Sequence, residues 1–323
     1  MRTPSFERLG WEPVRAAVVL AEALGYDSAW VSDHLFHGRD GDFYECWTTI
    51  SALAGCTDRL RLVTNHLNHN FRHAPLLAKM AATLDVISGG RFELFLSPGM
   101  REREHVSYGF GWEPDEEIRT RKLGEALTLI RSLWSGQPAD AAGSFYQLNG
   151  AISAPRPLQS KGPPIWIGGV LHPGTLRLVA DQADGWNCFP ASPDALAEKL
   201  ALVRAACVEA GRDPDTLRVS LETQVLVLDH PADWERWLDT WEDLHRRIPL
   251  GDATSDLVGE SADHRAEAEA QRDSFIIGTR AEVRERLMAY HELGVDEVVC
   301  WFMDFPSSNS MQTLATTIRP TLH

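Results

Sequence analysis

A chain of 323 residues that is 44% hydrophobic has enough apolar material for one large barrel or two ordinary domains. Its formal net charge of −15 at pH 7 argues against binding nucleic acid or an anionic membrane through general electrostatics, so local donors must hold any anionic ligand. The five cysteines form no C-x-x-C pair, the start has no signal-like segment and no run of about 18 apolar residues occurs, so we expect a soluble cytoplasmic protein without a disulfide framework.

Strand and helix patterns alternate along the chain from Tyr26 onward, which is typical of βα units around a parallel sheet. The strand pattern predicts seven strands, at Ser28–Ser32, Arg61–Thr64, Phe92–Leu96, Pro164–Gly168, Gly185–Phe189, Val219–Leu228 and Glu297–Phe302. The helix pattern predicts seven helices, at Pro13–Leu24, Glu45–Gly55, Pro75–Ile87, Glu116–Trp134, Gly174–Ala183, Pro193–Ala210 and Arg280–Leu293. We therefore predict an α/β fold of the TIM (β/α)8 barrel class, in a single domain over residues 1–323.

Seven strands are one fewer than this barrel needs, and the shortfall lies at the start of the chain. A strand should precede the helix that begins near Pro13, but the first ten residues, MRTPSFERLG, do not have a strand pattern. The first strand is therefore predicted to be irregular or missing. Either the barrel opens there, or another segment fills the gap, or the true N-terminus lies upstream.

Residues 59–110 contain the most informative repeat, which comprises a strand, a polar loop, a helix, a second strand and a second polar loop. The first strand of this repeat ends in Thr64-Asn65-His66, and the second is followed by Ser97-Pro98-Gly99. In a parallel barrel the carboxyl ends of all strands lie on one face. We therefore expect these two loops to meet over a single site.

Two segments are additional to a minimal barrel repeat. Residues Ser144–Leu148 contain an aromatic pair and are predicted to form a small hairpin outside the barrel. Residues 231–273 are predicted to be an insertion, in which Trp234, Trp237 and Trp241 form an apolar helical stripe. The end of the insertion, Gly251–Asp273, is polar and acidic, and we interpret it as an excursion over the site.

Five segments carry a resemblance to a known family, and they occur in that family's order: AEALGYDSAWVSDHLF (21–36), ECWTTISALAG (45–55), the run 59–110, PPIWIGGV with TLRLVADQADGWN (163–187) and IIGTRAEVRERL (276–287). Together they resemble the bacterial luciferase-like monooxygenase superfamily, most closely its actinobacterial branch of coenzyme F420-dependent oxidoreductases. The resemblance implies a luciferase-like TIM barrel that binds coenzyme F420, or alternatively FMN, at its carboxyl face. It also implies a homodimer.

The resemblance assigns site residues as well. It implies that Asp33 and His34 lie beside the cofactor ring and the substrate, and that Thr64 and Asn65 occupy a backbone bulge behind the ring. The remaining cofactor contacts that it implies are Ser97 and Gly99 after the fourth strand, the phosphate loop of Gly168, Gly169 and Thr175, and the turns with Gly185, Asn187, Gly278 and Thr279. The phosphate assignment agrees with physical chemistry, because glycines allow close approach of the backbone and a helix N-terminus offers N–H donors to an anion.

The chain departs from the family pattern at one strand end. The family usually has G-x-G-x-G-W there, whereas this chain has Phe95, Ser97, Gly99 and Met100. Bulky Phe95 and rigid Pro98 are expected to reshape the floor beneath the cofactor ring.

Four side chains are candidates for proton transfer or substrate contact. Asp33 next to His34 forms a good proton-handling pair, because the acid can hold the tautomer of the imidazole. His66 and Glu104 are predicted to shape the substrate pocket, although an internal salt bridge of Glu104 is an equally good interpretation. The spacing of His66, His69 and His73 suits metal ligands on a helix, but these residues lie in a predicted loop, so we predict a polar pocket wall and no metal site.

The sequence therefore predicts an oxidoreductase that transfers a hydride between reduced coenzyme F420 and a small organic substrate. In this prediction His34 supplies or removes the proton, and Asp33 orients the His34 ring. An FMN-linked monooxygenase is the first alternative. A barrel that has lost cofactor binding, acting as a non-redox or partner protein, is the second. A metal-dependent hydrolase that uses His66, His69 and nearby carboxylates is the third.

Overall fold

The structure, a computed structural model, describes residues 1–3, 10–36, 43–169, 171–239 and 264–322. Its helices are α1 Trp11–Ala23, α2 Cys46–Ala54, α3 Ala74–Ser88, α4 Glu102–Ser107, α5 Glu116–Trp134, α6 Pro173–Gln182, α7 Pro193–Glu209, α8 His264–Gln271, α9 Arg280–Glu292 and α10 Asn309–Thr313. Its strands are β1 Ser28–Ser32, β2 Arg61–Asn65, β3 Leu67–Asn68, β4 Phe92–Ser97, β5 Ala139–Ala142, β6 Gln147–Ala151, β7 Ile165–Gly168, β8 Gly185–Cys188, β9 Arg218–Leu228, β10 Ile276–Thr279 and β11 Glu297–Phe302.

The ends of the helices follow the sequence signals. Helix α3 has Pro75 in its first turn, where a missing N–H costs nothing, and it ends at Gly89, whose φ of 70° is the left-handed cap that glycine tolerates. Helix α9 begins with a capping box, in which Thr279 and Glu282 each accept a backbone N–H of the other.

The main sheet is parallel and curls into the predicted TIM-type barrel. Its order is β1-β2-β4-β7-β8-β9-β10, and β11 also pairs with β9. Strand β10 was not among the seven predicted strands. Residues 1–3 lie between β11 and β1: the N–H of Arg2 donates to Cys300 O of β11 at 3.0 Å, and the N–H of Thr3 donates to Trp30 O of β1 at 2.8 Å. The predicted irregular first strand is confirmed, and residues 1–3 occupy its place.

The barrel interior below the site is filled by two layers of side chains. At the amino end, Arg61 and Arg218 both contact Glu93, with N–O distances of 2.9 and 2.8 Å. Two residues further along the strands, the pleat brings side chains to the same face again. This second layer is an apolar cluster of Trp30, Val63, Phe95, Trp166 and Val299. The site therefore has a closed floor.

A β-bulge lies where β2 passes into β3. Leu62 and Val63 pair with Phe92 and Glu93 of β4, and Leu67 then pairs with Leu96. Leu67 comes four residues after Val63, whereas Leu96 comes only three residues after Glu93. The segment from β2 to β3 therefore contains one extra residue. His66, with a φ of 50°, is that residue. The bulge that was predicted at Thr64 and Asn65 is centred one residue later.

Gly185 lies in strand β8 and not in a turn, contrary to the prediction, while its contact with the cofactor stays a prediction. Gly185 pairs with Trp166 at the amino end of β8, two residues before Asn187. A Cβ built on Gly185 would lie 2.3 Å from Cε3 of Trp166. Glycine is therefore needed here because the indole in the barrel interior occupies the space of a side chain.

The segments outside the barrel agree in part with the predictions. The hairpin is confirmed as the antiparallel pair β5 and β6. Residues 233–239 are helical, and Trp234 packs with Leu226, Leu228 and Leu238, as the stripe predicts. The predicted excursion is helical at α8, while Trp241 and residues 251–263 lie outside the described residues. No helix in the described ranges is both long and apolar enough to cross a membrane.

Replacement of Gly185 by alanine should destabilise the protein, because the new Cβ overlaps the Trp166 ring. We expect the free energy of unfolding to fall by about 1–3 kcal/mol or more, measured by urea denaturation. Gly55→Ala is the matched control, since its Cβ would lie 3.5 Å from the nearest atom at the end of α2. Equal stability of Gly185→Ala and the control would contradict the packing argument.

Candidate active site

The polar side chains at the carboxyl ends of the strands come together as predicted. Asp33 and His34 follow β1, His66 follows β2, and Asn187 lies in β8. The loop after β4 carries Ser97 and leads into α4, which carries Glu104. The contacts that link these loops include His34 with Glu104 and His66 with Asn187.

His34 and Glu104 form a pair with 2.9 Å between Nδ1 and Oε1. The side chains are 19% and 4% exposed. Burial, with a smaller contribution from Arg101, holds the pKa of His34 well below its ordinary value, so the imidazole is neutral at neutral pH. With Glu104 as a carboxylate, the proton of the ring lies on Nδ1, and Nε2 keeps its lone pair.

Asp33 does not orient His34, contrary to the prediction. Its two carboxylate oxygens accept one N–H each from the Arg72 guanidinium at 3.0 Å, and Oδ2 also accepts the backbone N–H of Asn68 at 2.9 Å. Burial raises the pKa of Asp33, and Arg72 opposes this shift. Arg72 contacts Glu45 as well. Asp33 therefore anchors the loop after β2, and the carboxylate at the His34 ring is that of Glu104.

His66 lies in a second buried network. Its Nε2 is 3.4 Å from Asn187 Oδ1 and 3.8 Å from Glu222 Oε2, and Glu222 pairs with Arg2 at 2.8 Å. The ring meets Phe95 and Phe189 edge-on, with centroids 4.6 and 4.7 Å away. Burial lowers the pKa of His66, partly offset by Glu222. His66 is therefore held as a neutral side chain in an aromatic setting.

Glu222 and Arg2 were not among the predicted site residues. A signal for Glu222 existed, since it is a lone carboxylate in the strand sequence VSLETQVLVL. A charge in such a strand is costly unless it is paired, so a buried partner was required. Arg2 offered no comparable signal because the first ten residues lack a strand pattern.

Thr64 and Asn65 differ in what they offer a ligand. The Thr64 hydroxyl donates to Phe95 O at 3.0 Å and accepts the Phe95 N–H at 2.9 Å, so it links β2 to β4. The Asn65 side chain donates to Glu222 at 3.0 Å, but its buried Oδ1 has no partner among the described residues. Asn65 Oδ1 is therefore an acceptor that a ligand N–H could fill, whereas Thr64 is used within the sheet.

The glycines near the site have different roles. A Cβ on Gly168 would lie 2.7 Å from Cζ of Phe95, so Phe95 requires glycine there. Gly169 has a φ of 112°, and no other described residue lies within 4 Å of a built Cβ, so among these residues nothing blocks its backbone from a ligand. Gly99 has a φ of 95° and packs on polar side chains beneath its loop. Ser97 is occupied, since its hydroxyl donates to His66 O at 3.5 Å.

The predicted phosphate loop is partly capped by the chain itself. His172 Nδ1 accepts the N–H of Gly174 at 3.1 Å at the start of α6, and Thr175 is buried. Glu117 Oε2 lies 3.7 Å from His172 Nε2, and it would be 2.7 Å from a Cβ built on Gly174. A carboxylate therefore lies against the helix turn where an anion would bind. Val170 lies outside the described residues.

Thr279 has a structural role. Its backbone N–H donates to Glu282 Oε2 at 2.7 Å, and its hydroxyl accepts the backbone N–H of Glu282 at 3.5 Å. These contacts form the capping box of α9. Contact of Thr279 with the cofactor stays a prediction.

The three histidines with metal-like spacing diverge. His66 contacts Asn187, while the His73 ring lies 5.7 Å from that of Tyr146. Neither ring nitrogen of the buried His69 has a partner among the described residues, and burial lowers the pKa of His69 to about 3. Within the described ranges no group of three potential ligands converges on a metal site.

Comparison with known proteins gives consistent matches. Residues 4–297 match a family model described as luciferase-like monooxygenase. The F420-dependent glucose-6-phosphate dehydrogenase of Microbacterium testaceum is 29% identical over 311 residues, covering 91% of this chain and 88% of that protein. The oxygenase component of the flavin-dependent trigonelline monooxygenase of Acinetobacter baylyi is 27% identical over 300 residues, covering 87% of this chain and 80% of that protein.

The fold has a similar match among solved structures. The structure of an F420-dependent secondary alcohol dehydrogenase in complex with an F420-acetone adduct superposes with a TM-score of 0.79. The match covers 97% of this chain and 96% of that chain, at 19% identity. At this identity the likeness shows that the barrel fold is shared.

The buried His69 should make stability depend on pH. Its pKa is lowered in the folded state, so below about pH 6.5 the unfolded chain binds the proton first and stability is lost as the pH falls. From pH 7.5 to pH 5, we expect His69→Leu to lose about 2 kcal/mol less unfolding free energy than the unsubstituted protein. The measurement is urea denaturation at both pH values. The exposed His291 supplies the control, His291→Leu, and an identical loss in all three proteins would refute the argument.

Proposed function

The chain belongs to the luciferase-like monooxygenase family, and from this membership we propose that it is an oxidoreductase that transfers a hydride between coenzyme F420 and a small organic substrate. The observation that carries the proposal is the pair of the partly buried His34 and the buried Glu104 at the barrel mouth, with 2.9 Å between Nδ1 and Oε1. The relative of 29% identity, which is described as F420-dependent, supports this choice of cofactor.

The residues at the barrel mouth fit a deazaflavin or flavin ring. Such a ring carries an imide N–H, and the buried Oδ1 of Asn65 is an acceptor without a partner in the described part of the chain. The open backbone at Gly169 suits close approach of a phosphate group. When bound, the cofactor supplies the carbon that accepts or donates the hydride. Asn65 and Gly169 would hold it, and Phe95 would form the floor beneath.

The His34–Glu104 pair would manage the proton that accompanies the hydride. If a substrate carbon bearing a hydroxyl group loses a hydride, the hydroxyl proton must leave as well, and His34 Nε2 can take it. The imidazolium formed on His34 is then stabilised by the Glu104 carboxylate at Nδ1. Because burial lowers the pKa of His34, the ring is neutral and ready to accept a proton across the neutral pH range.

Removal of either member of the pair should reduce turnover without loss of cofactor binding. We expect His34→Gln and Glu104→Gln to lower kcat by about 100- to 10,000-fold, because the proton acceptor or its partner is lost. The dissociation constant of F420 should change far less than kcat, since neither residue is assigned to the cofactor phosphate and the resemblance places only His34 beside the ring. Glu102→Gln is the control, on the same helix but exposed. Unchanged turnover in Glu104→Gln would refute the proposed role.

Removal of the carboxylate beside α6 should tighten binding of the cofactor phosphate. The Glu117 charge lies against the first turn of this helix, so Glu117→Gln should lower the dissociation constant by about two- to fivefold at low salt. Glu116→Gln removes the same charge from the neighbouring position and is the control. The measurement is a titration with F420 and with FMN, followed by fluorescence. Binding of neither cofactor would refute the redox function and favour a barrel that has lost cofactor binding.

A flavin-dependent monooxygenase is the second candidate function, because the relative of 27% identity is described as flavin-dependent. Oxygen consumption with reduced FMN distinguishes the two. Rapid consumption that depends on substrate would favour the monooxygenase, and hydride transfer from reduced F420 without oxygen uptake would favour the first proposal.

A further inference from the structure

The loop after β2 is linked to α4 through the side chain of Asn68. Its backbone N–H donates to Asp33 Oδ2 at 2.9 Å, and its side-chain Oδ1 accepts the N–H of Asn70 at 3.1 Å. Its Nδ2 lies 3.0 Å from Nε2 of His105, which is in α4 directly after Glu104. The anchored residue Asp33 and the helix that carries Glu104 are thus connected by Asn68.

The direction of each hydrogen bond in this chain of contacts is determined. Because Asn68 Oδ1 faces an N–H donor, the amide nitrogen must be the atom that faces His105, and it can only donate. His105 Nε2 is therefore the acceptor and carries no proton. His105 Nδ1 lies 3.0 Å from the carbonyl oxygen of Arg101, which can only accept, so the ring proton is on Nδ1. Both contacts require the same neutral tautomer.

His105 holds a strained helix start. Arg101, the residue before α4, has a φ of 62°, which is unfavourable for most residues other than glycine and asparagine. Its carbonyl accepts the His105 Nδ1–H and the backbone N–H of Glu104. Gly99 lies against the same contacts, since a Cβ there would be 3.0 Å from Asn68 Oδ1 and 3.2 Å from His105 Nε2. The path of the loop from Gly99 to Glu104 thus depends on Asn68 and His105.

We propose that Asn68 and His105 are positioning residues that hold Glu104 against His34. The contacts form a closed ring: Asp33 binds Asn68, Asn68 binds His105, His105 adjoins Glu104, and Glu104 binds His34, which adjoins Asp33. Glu104 is therefore held on one side by its contact with His34 and on the other by its chain neighbour His105. The catalytic consequence rests on the proposed function, whereas the positioning of the pair can be measured without it.

The chain of hydrogen bonds can be tested with one variant on each side. Asn68→Ala removes the donor to His105, and His105→Phe keeps a ring between Phe71 and Trp112 but removes both hydrogen bonds. His105→Gln is a milder variant, since its side-chain oxygen can still accept from Asn68. Asn149→Ala, at an exposed position of the hairpin strand β6, is the matched control.

The first readout is the tautomer of His34, observed by NMR of protein labelled with ¹⁵N at histidine and assigned with His34→Gln. The unsubstituted protein and Asn149→Ala should show the proton of His34 on Nδ1. In Asn68→Ala and His105→Phe the two ring nitrogens should shift toward the averaged values of a mixed tautomer, with a smaller shift in His105→Gln. An unchanged His34 signal in all three variants would overturn the proposal. If the variants only melt at a lower temperature and the His34 signal stays the same, Asn68 and His105 stabilise the fold but do not position Glu104.

The second readout is turnover. We expect Asn68→Ala and His105→Phe to lower kcat by about 10- to 100-fold with KM within about twofold, because the pair is misplaced but the substrate pocket remains. The double variant should be no slower than the slower single variant, since both changes break one chain of contacts. Additive losses would contradict the proposal. If the unsubstituted protein shows no F420 turnover, the proposed function fails, and the NMR result still decides whether Asn68 and His105 position Glu104.

Discussion

The ion pairs of Glu93 with Arg61 and Arg218 close the amino end of the barrel, and the layers above are built on them. Burial alone would raise the pKa of Glu93, but the two guanidinium groups and the Trp166 indole outweigh it and lower the pKa. The buried charge of Glu93 is thus paired by two guanidinium groups and one indole N–H. Glu93 thus fixes Trp166, whose ring in turn excludes any side chain at position 185.

The same filling continues upward to the site. Phe95 lies above the charged layer, its ring excludes a side chain at Gly168, and the edge of His66 rests against it. The family pattern has glycine at the position of Phe95, whereas here the floor is an aromatic ring. Phe95 and His66 therefore shape the surface at the bottom of the barrel mouth, and the polar side chains lie around its rim.

The sequence predicted most strands and helices in their order, because these elements have their own apolar period and their own end signals, as at Pro75 and Gly89. It missed the short strand β10 and the short helix α4. It also indicated which loops meet, since parallel strands end on one face. It did not identify which carboxylate contacts His34. Asp33 is the neighbour in the chain, but Arg72 binds it, and Glu104, 70 residues away, lies at the ring. Such long-range pairing depends on side-chain geometry that no local pattern encodes. The roles of Gly185 and Gly168 were hidden for the same reason, because the bulky residue that requires each glycine is on another strand.

The β-bulge at His66 changes how much chemistry one strand can present. Neighbouring side chains of a regular strand point to opposite faces, so a strand offers the barrel mouth every second residue. Here Asn65 and His66 both reach Glu222 from consecutive positions. His66 does not take part in the pairing with β4, since the residues before and after it pair with β4 as if His66 were absent. A left-handed residue other than glycine costs about 1–2 kcal/mol. The chain thus retains an unfavourable residue that contributes nothing to the ladder, and in exchange the rim of the barrel gains a second adjacent polar group.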